Sequence, residues 1–143
     1  MRIISGHLKG RRVIAPKKLP VKPTADRSKE ALFNILANWY EFSEIKVLDL
    51  FSGTGNISYE FGSRGVQDIV AVDHNKFCAL FIEQTASYLE LNINVNCRNV
   101  FEFLKKPQQG FDIIFADPPY DLSLTDFKNI INLVFKGNWL NKD

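Results

Sequence analysis

Glu44-Ile-Lys-Val-Leu-Asp-Leu-Phe-Ser-Gly-Thr-Gly-Asn-Ile-Ser58 passes from a β-prone apolar run into a glycine-rich turn and then into the opening of a helix. A strand, a tight loop and a helix start in direct succession point to an α/β sheet of the Rossmann-like kind. Gly53, Gly55 and Ser58 approximate G-x-G-x-x-small, a spacing shared by dinucleotide-binding folds and weak by itself.

Asp49 narrows the choice, because an anion at this strand end repels a pyrophosphate and attracts a cation. The ammonium and sulfonium of S-adenosylmethionine suit such a place. Further along, Asp68-Ile-Val-Ala-Val-Asp73 is a second buried strand closing on an acid, and in Rossmann-like sheets that acid accepts hydrogen bonds from ribose hydroxyls. The plainer reading of Asp73 is an acidic turn residue beside a solvent-exposed His74. A helix over about 75–91 carries Phe77, Leu80, Phe81 and Tyr88 at core spacing. Residues 92–97 alternate as a third strand and lead to Asn99, then to a short helix with Phe101 and Leu104. Asn99 falls where a cofactor's adenine lies in such sheets, with a donor and an acceptor to offer; loop asparagines are also common turn residues.

Phe111-Asp-Ile-Ile-Phe-Ala-Asp-Pro-Pro-Tyr120 is an apolar run ended by an acid, two prolines and an aromatic. It reads as a strand buried on both faces, with Asp117 to Tyr120 at the carboxyl end where α/β sheets bind ligands. The tetrapeptide suits a planar exocyclic amine, whose lone pair is delocalised until hydrogen bonds reorient the group. Asp117 can accept one N–H and the Pro118 carbonyl the other, Pro119 restricts the backbone beside that carbonyl, and Tyr120 offers a face for a flipped-out base. The plainer reading is a polar turn after a core strand. A last helix near Leu124 to Phe135 points Phe127, Ile130, Ile131 and Val134 inward.

Toward the amino end, Pro23-Thr-Ala-Asp-Arg-Ser-Lys-Glu30 opens a helix with Thr24 or Asp26 as its cap, and Ala31, Leu32, Ile35, Leu36 and Trp39 form its apolar face. Arg27 and Lys29 lie in the first turn, against the helix dipole, so they either serve a ligand or pair with nearby acids. Arg2-Ile-Ile-Ser5 and Arg11-Arg-Val-Ile-Ala15, joined by Gly6-His-Leu-Lys-Gly10, read as a hairpin that gathers Arg2, Lys9, Arg11 and Arg12 into a phosphate grip. Residues 16–23 read as an extended basic linker.

Residues 1–29 carry nine Lys or Arg against one acid, while residues 30–143 carry nine against fifteen, a net +8 arm on a net −6 body. That asymmetry suggests a polyanionic partner at one end, against a merely solvated surface. The 45% apolar and 13% aromatic content of the 143 residues is enough for one real core. No apolar run approaches the roughly 20 residues of a membrane span, and no signal-peptide pattern opens the chain, so a cytoplasmic location is expected. Cys78 and Cys97 read as buried or half-buried free thiols, and no metal site is visible.

With these residues laid out, the whole chain resembles the class I S-adenosylmethionine-dependent methyltransferases, and among them the bacterial 16S ribosomal RNA guanine-N2 methyltransferases of the RsmD family. The resemblance rests on residues 2–12, Pro23-Thr-Ala-Asp-Arg27 with Lys29-Glu-Ala-Leu-Phe-Asn34, Asp49-Leu-Phe-Ser-Gly-Thr-Gly55, Ser63-Arg-Gly65 and Asp117-Pro-Pro-Tyr120. It implies an S-adenosylmethionine site from Asp49, Phe51, Gly53, Gly55, Asp73, Asn99 and Val100. It also implies a catalytic Asp117, Pro118, Pro119 and Tyr120 acting on a guanine 2-amino group, and RNA contacts from Arg2, Lys9, Arg11, Arg12 and Arg27. The implied partner is 16S ribosomal RNA or a small-subunit assembly intermediate, with neither membrane nor metal. Residues 1–22 would be the basic RNA-binding hairpin and linker, and 23–143 the methyltransferase domain. The family usually has Glu at Asp73 and Asp at Asn99. Its fold has seven strands where four are legible here, so the C-terminal strands are expected to be missing.

Two other functions fit parts of the pattern. Asp-Pro-Pro-Tyr also occurs in DNA adenine-N6 and cytosine-N4 methyltransferases, and a chain short of strands is compatible with a non-catalytic RNA-binding module of the same fold.

Overall fold

The computed structural model describes residues 1–21, 24–106 and 110–141. Four strands, β1 (Lys46–Leu50), β2 (Asp68–Asp73), β3 (Ile93–Cys97) and β4 (Ile113–Ala116), pair in parallel in the order β3-β2-β1-β4. The chain runs outward from β1 through β2 to β3, then returns to the other side of β1. Such a reversal opens a crevice between the carboxyl ends of the two strands that flank it, here β1 and β4. β1 and β2 are the two central strands, each paired along its length on both sides: Val47 lies opposite Ile69 and Ile113, and Ile69 opposite Val47 and Ile93.

Side chains alternate across this sheet. Leu48, Leu50 and Val72 face a cluster completed by Val100, Phe103 and Leu104 from α4 (Val100–Lys105) and by Ile130 and Val134 from α5 (Leu124–Lys136). Val47 and Ile69 face the other cluster, with Phe33 of α1 (Asp26–Ala37) and Ile57 and Phe61 of α2 (Asn56–Ser63). A third cluster joins Ile3, Leu8 and Val13 of the N-terminal hairpin to Tyr59 of α2 and to Ile82 and Leu89, at and just beyond α3 (Lys76–Tyr88). The hairpin forms as its glycines suggest, with Arg2 bridged antiparallel to Arg12 and φ positive at Gly6 and Gly10. Just before β4, Phe111 bridges Leu140 in parallel: the Phe111 N–H donates to the Trp139 carbonyl at 2.6 Å and the Asn141 N–H to the Phe111 carbonyl at 2.8 Å. No helix of the described residues is long and apolar enough to cross a membrane.

The inward faces of three helices differ from the periodicity. In α1 the fully buried residues are Phe33 and Lys29, whereas Trp39 is 78% exposed and Ile35 is also exposed. The helix is turned because Phe33 packs edge-on against Phe61, at 4.6 Å between ring centroids, and Lys29 reaches an acid on α2. In α3 the buried residues are Cys78, Ala79, Ile82 and Ala86, and Phe77, Leu80 and Tyr88 are exposed, because the helix lies against its neighbours through small side chains. In α5, Ile130 and Val134 point inward, Phe127 is half-buried and Ile131 is exposed.

Four further expectations are corrected. Neither Thr24 nor Asp26 caps α1: the N-cap is Ala25, without a side-chain bond, and Asp26 is the first helical residue. Strand β4 is half-buried throughout rather than covered on both faces. Cys97 is exposed while Cys78 is buried. The proposed linker begins with a turn in which the Leu19 N–H donates to the Pro16 carbonyl, and Leu19 is buried; Lys22 and Pro23 lie outside the described residues.

Candidate active site

The turn after β1 is built from unusual backbone. Phe51, Gly53 and Gly55 all have positive φ, at 55°, 58° and 85°. Gly55 has a second constraint, since a Cβ there would lie 2.6 Å from the Tyr59 ring and hydroxyl and 3.0 Å from Ile82. Only glycine lets α2 start this close to α3. The loop is held from below by Asp73: its Oδ2 accepts the Gly53 N–H at 2.8 Å and its Oδ1 accepts the Asn75 N–H at 2.9 Å. A carboxylate has about four lone-pair sites, so Asp73 retains capacity for a ligand diol after fixing the loop.

Asp49 projects to the α2 side of the sheet and is 1% exposed. Its one side-chain bond among the described residues comes from the Ser58 hydroxyl, at 2.7 Å to Oδ2. Burial pushes its pKa from the usual 3.8 up to about 7; the Ser58 bond pulls against this, and the charges of Asp73 and Asp117 add to the rise. The carboxylates at the ends of β2 and β4 therefore act on Asp49 across the crevice. This is a poor place for a polyphosphate and a good one for a cation, because a positive ligand relieves the repulsion and restores charge to Asp49.

Beyond β4, Asp117, Pro119 and Tyr120 are exposed and Pro118 is half-buried. Tyr120 stands clear of the protein, an aromatic face with nothing stacked on it among the described residues. The turn is closed by the Leu122 N–H donating to the Pro119 carbonyl at 3.0 Å, and Ser123 then caps α5 by accepting the Asp126 N–H at 3.1 Å. No described group bonds the Asp117 carboxylate, which leaves it available to a donor.

Residues 1–143 match the family described as Conserved hypothetical protein 95. A relative from Buchnera aphidicola subsp. Baizongia pistaciae, named Ribosomal RNA small subunit methyltransferase D, is 33% identical over 98% of this chain and 70% of its own length. A Haemophilus influenzae protein of the same name is 32% identical over 98% of this chain and 73% of its own. The chain belongs to this family. Among solved structures, one described as putative methyltransferase yhhF from Escherichia coli superposes with a TM-score of 0.86 at 29% identity, covering 99% of this chain and 75% of that one. The α/β fold is thus the Rossmann-like methyltransferase sheet of the family, with four paired strands among the described residues.

Within that family fold, Asp49, Gly53, Gly55 and Asp73 meet at the ends of β1 and β2. Phe51 is half-buried against the core. Asn99 is the N-cap of α4, its Oδ1 accepting the Phe101 N–H at 2.9 Å and the Glu102 N–H at 3.4 Å, so its acceptor is occupied and only its amide N–H groups remain for a ligand. Val100 is buried in the core by its side chain, which limits it to main-chain contacts. Of the basic residues, Arg2 and Arg12 are paired across the hairpin. Arg2 lies 3.8 Å from Asp26, Arg11 sits over the Tyr88 ring at 5.3 Å, and Lys9, Arg12 and Arg27 are exposed.

Two polar residues central to this architecture carried no motif. Ser58, read only as the small residue of the glycine pattern, is the partner of Asp49. Glu60 is fully buried, and its one sequence signal was an acid, with Arg64 four residues on, in an otherwise uncharged helix.

Proposed function

We propose that this chain transfers a methyl group from S-adenosylmethionine to the exocyclic N2 amine of a guanine in 16S ribosomal RNA. The observation that carries the reading is the juxtaposition, across the switch point of the sheet, of a buried, acidic, phosphate-repelling crevice with an Asp117-Pro-Pro-Tyr turn in which no described group bonds the Asp117 carboxylate. The names of the relatives supply the substrate class, and Tyr120 and the basic hairpin suit a base and its phosphates.

When bound, S-adenosylmethionine supplies a methyl carbon made electrophilic by its sulfonium. Asp49 offers negative charge to the cation, Asp73 accepts from the ribose hydroxyls, and the amide N–H groups of Asn99 with the Val100 main chain face the adenine. Tyr120 stacks on the extruded guanine. Asp117 accepts one amine N–H and the Pro118 carbonyl the other, which turns the nitrogen lone pair toward the methyl carbon. As the new N–C bond forms, the methyl–sulfur bond would break with its electron pair going to sulfur, leaving a neutral thioether; the amine becomes positively charged, and Asp117 stabilises that charge and can take the departing proton. Arg2, Lys9, Arg11, Arg12 and Arg27 hold RNA phosphates, with residues 1–22 as the binding arm.

Incubating the chain with methyl-labelled S-adenosylmethionine and, separately, naked 16S RNA, small-subunit particles and duplex DNA tests this. Label in N2-methylguanine of the RNA or the particle is expected. Label in DNA adenine or cytosine would move the activity to the alternative substrate, and tight RNA binding without cofactor binding would leave only a binding module.

A further inference from the structure

The N-terminal hairpin is joined to α2 by charges from which water is wholly excluded. Lys29 and Glu60 both have side chains with 0% exposure. Each of the three ammonium donors of Lys29 has an acceptor: the Arg2 carbonyl at 2.6 Å, Asn56 Oδ1 at 2.8 Å and Glu60 Oε1 at 3.3 Å. Glu60 is equally saturated, accepting the Ile4 N–H at 2.9 Å, the Ser5 N–H at 3.1 Å and Arg64 Nε at 2.8 Å besides the lysine. Burial lowers the Lys29 pKa, with the Glu60 charge opposing that shift.

What the joint connects is more informative than its strength. On one side it holds hairpin main chain, at Arg2, Ile4 and Ser5. On the other, Lys29 holds Asn56, the first residue of α2 and the neighbour of Gly55, while Asn56 Nδ2 donates to the Thr24 carbonyl at 2.9 Å. A parallel link runs from Thr54 Oγ1 to Met1 Sδ at 3.8 Å. The glycine loop is thus tied to the hairpin through Asn56 and Thr54, and to Asp73 through Gly53.

We propose that Lys29 and Glu60 are positioning residues that couple RNA binding at the hairpin to cofactor binding at the glycine loop, so that each ligand tightens the other. The proposal rests on the reading of the hairpin as the RNA arm and the loop as the cofactor site. The coupling is physical: a ligand that orders the hairpin fixes the Arg2, Ile4 and Ser5 main chain, which fixes Lys29 and Asn56, and the second ligand then has less ordering left to do. Reciprocity is required of any such coupling.

Calorimetry with S-adenosylhomocysteine, with and without a 16S RNA transcript, reads it directly. In the unaltered chain the transcript tightens S-adenosylhomocysteine by about fivefold or more, and S-adenosylhomocysteine tightens the transcript by the same factor. Lys29→Met leaves Glu60 neutralised by Arg64, so the fold is retained; each ligand alone binds within about twofold of the parent, but the coupling factor falls to near one, and Lys29→Arg restores it. Full coupling in Lys29→Met overturns the proposal, as does loss of S-adenosylhomocysteine binding in that variant without RNA, which marks a purely structural role. Independent binding of both ligands by the unaltered chain overturns the coupling but leaves the proposed function standing, whereas failure to bind either removes both. A measurement needing no variant is amide exchange: S-adenosylhomocysteine alone is expected to slow exchange at Ile4 and Ser5, and unchanged rates there contradict the coupling.

Discussion

Asp49 and Glu60 are both buried carboxylates served by α2, and the protein treats them in opposite ways. Glu60 is closed: two backbone N–H groups, an ammonium and a guanidinium fill its lone pairs, and it joins two parts of the fold. Asp49 is left open, with one hydroxyl and two neighbouring acids; burial raises its proton affinity, and the acids add to the rise. Burial of charge by itself does not distinguish a scaffold from a site. The number of hydrogen-bonding partners does, because an incompletely partnered buried acid is a standing demand for a cation.

The largest expected effect breaks the closed member. Glu60→Ala leaves the Lys29 ammonium and the Ile4 and Ser5 amides without their acceptor, and should cost about 3–5 kcal/mol in urea unfolding. Asp49→Asn, at the open member, should cost nothing above about pH 7 and give a small gain, because it removes a carboxylate that is costly to ionise there. The sign follows from the raised pKa: the folded state binds a proton that the unfolded state has released, so this group's contribution falls as pH climbs from 3.8 toward about 7. Equal losses from the two variants would erase the distinction.

Next in size is Asp117→Ala. Turnover should drop by on the order of a hundredfold while affinities for S-adenosylmethionine and RNA stay within a few fold, since the bond it makes strengthens as charge develops on the amine. Asp117→Asn keeps an acceptor oxygen and should retain part of the activity. A parent-like rate in Asp117→Ala would make the turn structural.

Asp73→Ala should weaken cofactor binding by about 1.5–3 kcal/mol with RNA affinity nearly unchanged, read by calorimetry. Parallel loss of both affinities would mean that its bond to Gly53 matters more than any ligand contact. The smallest effect is in the arm: neutralising Arg2, Lys9, Arg11 and Arg12 together should flatten the salt dependence of RNA binding, by roughly 0.7–0.9 in log-log slope for each phosphate that is no longer neutralised. An unchanged slope would return those residues to an ordinary solvated surface.

The positions of the strands were legible because β1, β2 and β4 are short apolar runs with an acid at or next to the carboxyl end and turn chemistry after it; their order and register come from the structure alone. Positions 49, 53, 55 and 73 came together as their spacing implied. What periodicity could not supply was the direction of the helices. In α1 the inward face contains Lys29, and no scale of hydrophobicity places a lysine in a core; the charge of Glu60, thirty-one residues on, with acceptors at Arg2 and Asn56, makes that burial possible. In α3 the large apolar residues lie outside because the inward positions need alanine and cysteine to fit. Asn99 was legible as a polar residue at the right place, but its role as the cap of α4 depends on a helix start that the sequence marked weakly.

The contrast between the open and the closed carboxylate is tested most directly by carbon NMR titration of Asp49, with and without S-adenosylmethionine. A midpoint near 7 is expected in the free chain, displaced clearly downward when the cationic ligand binds, with a proton released on binding near neutral pH. A midpoint at the ordinary 3.8 in the free chain, or one that the ligand leaves unmoved, would contradict it.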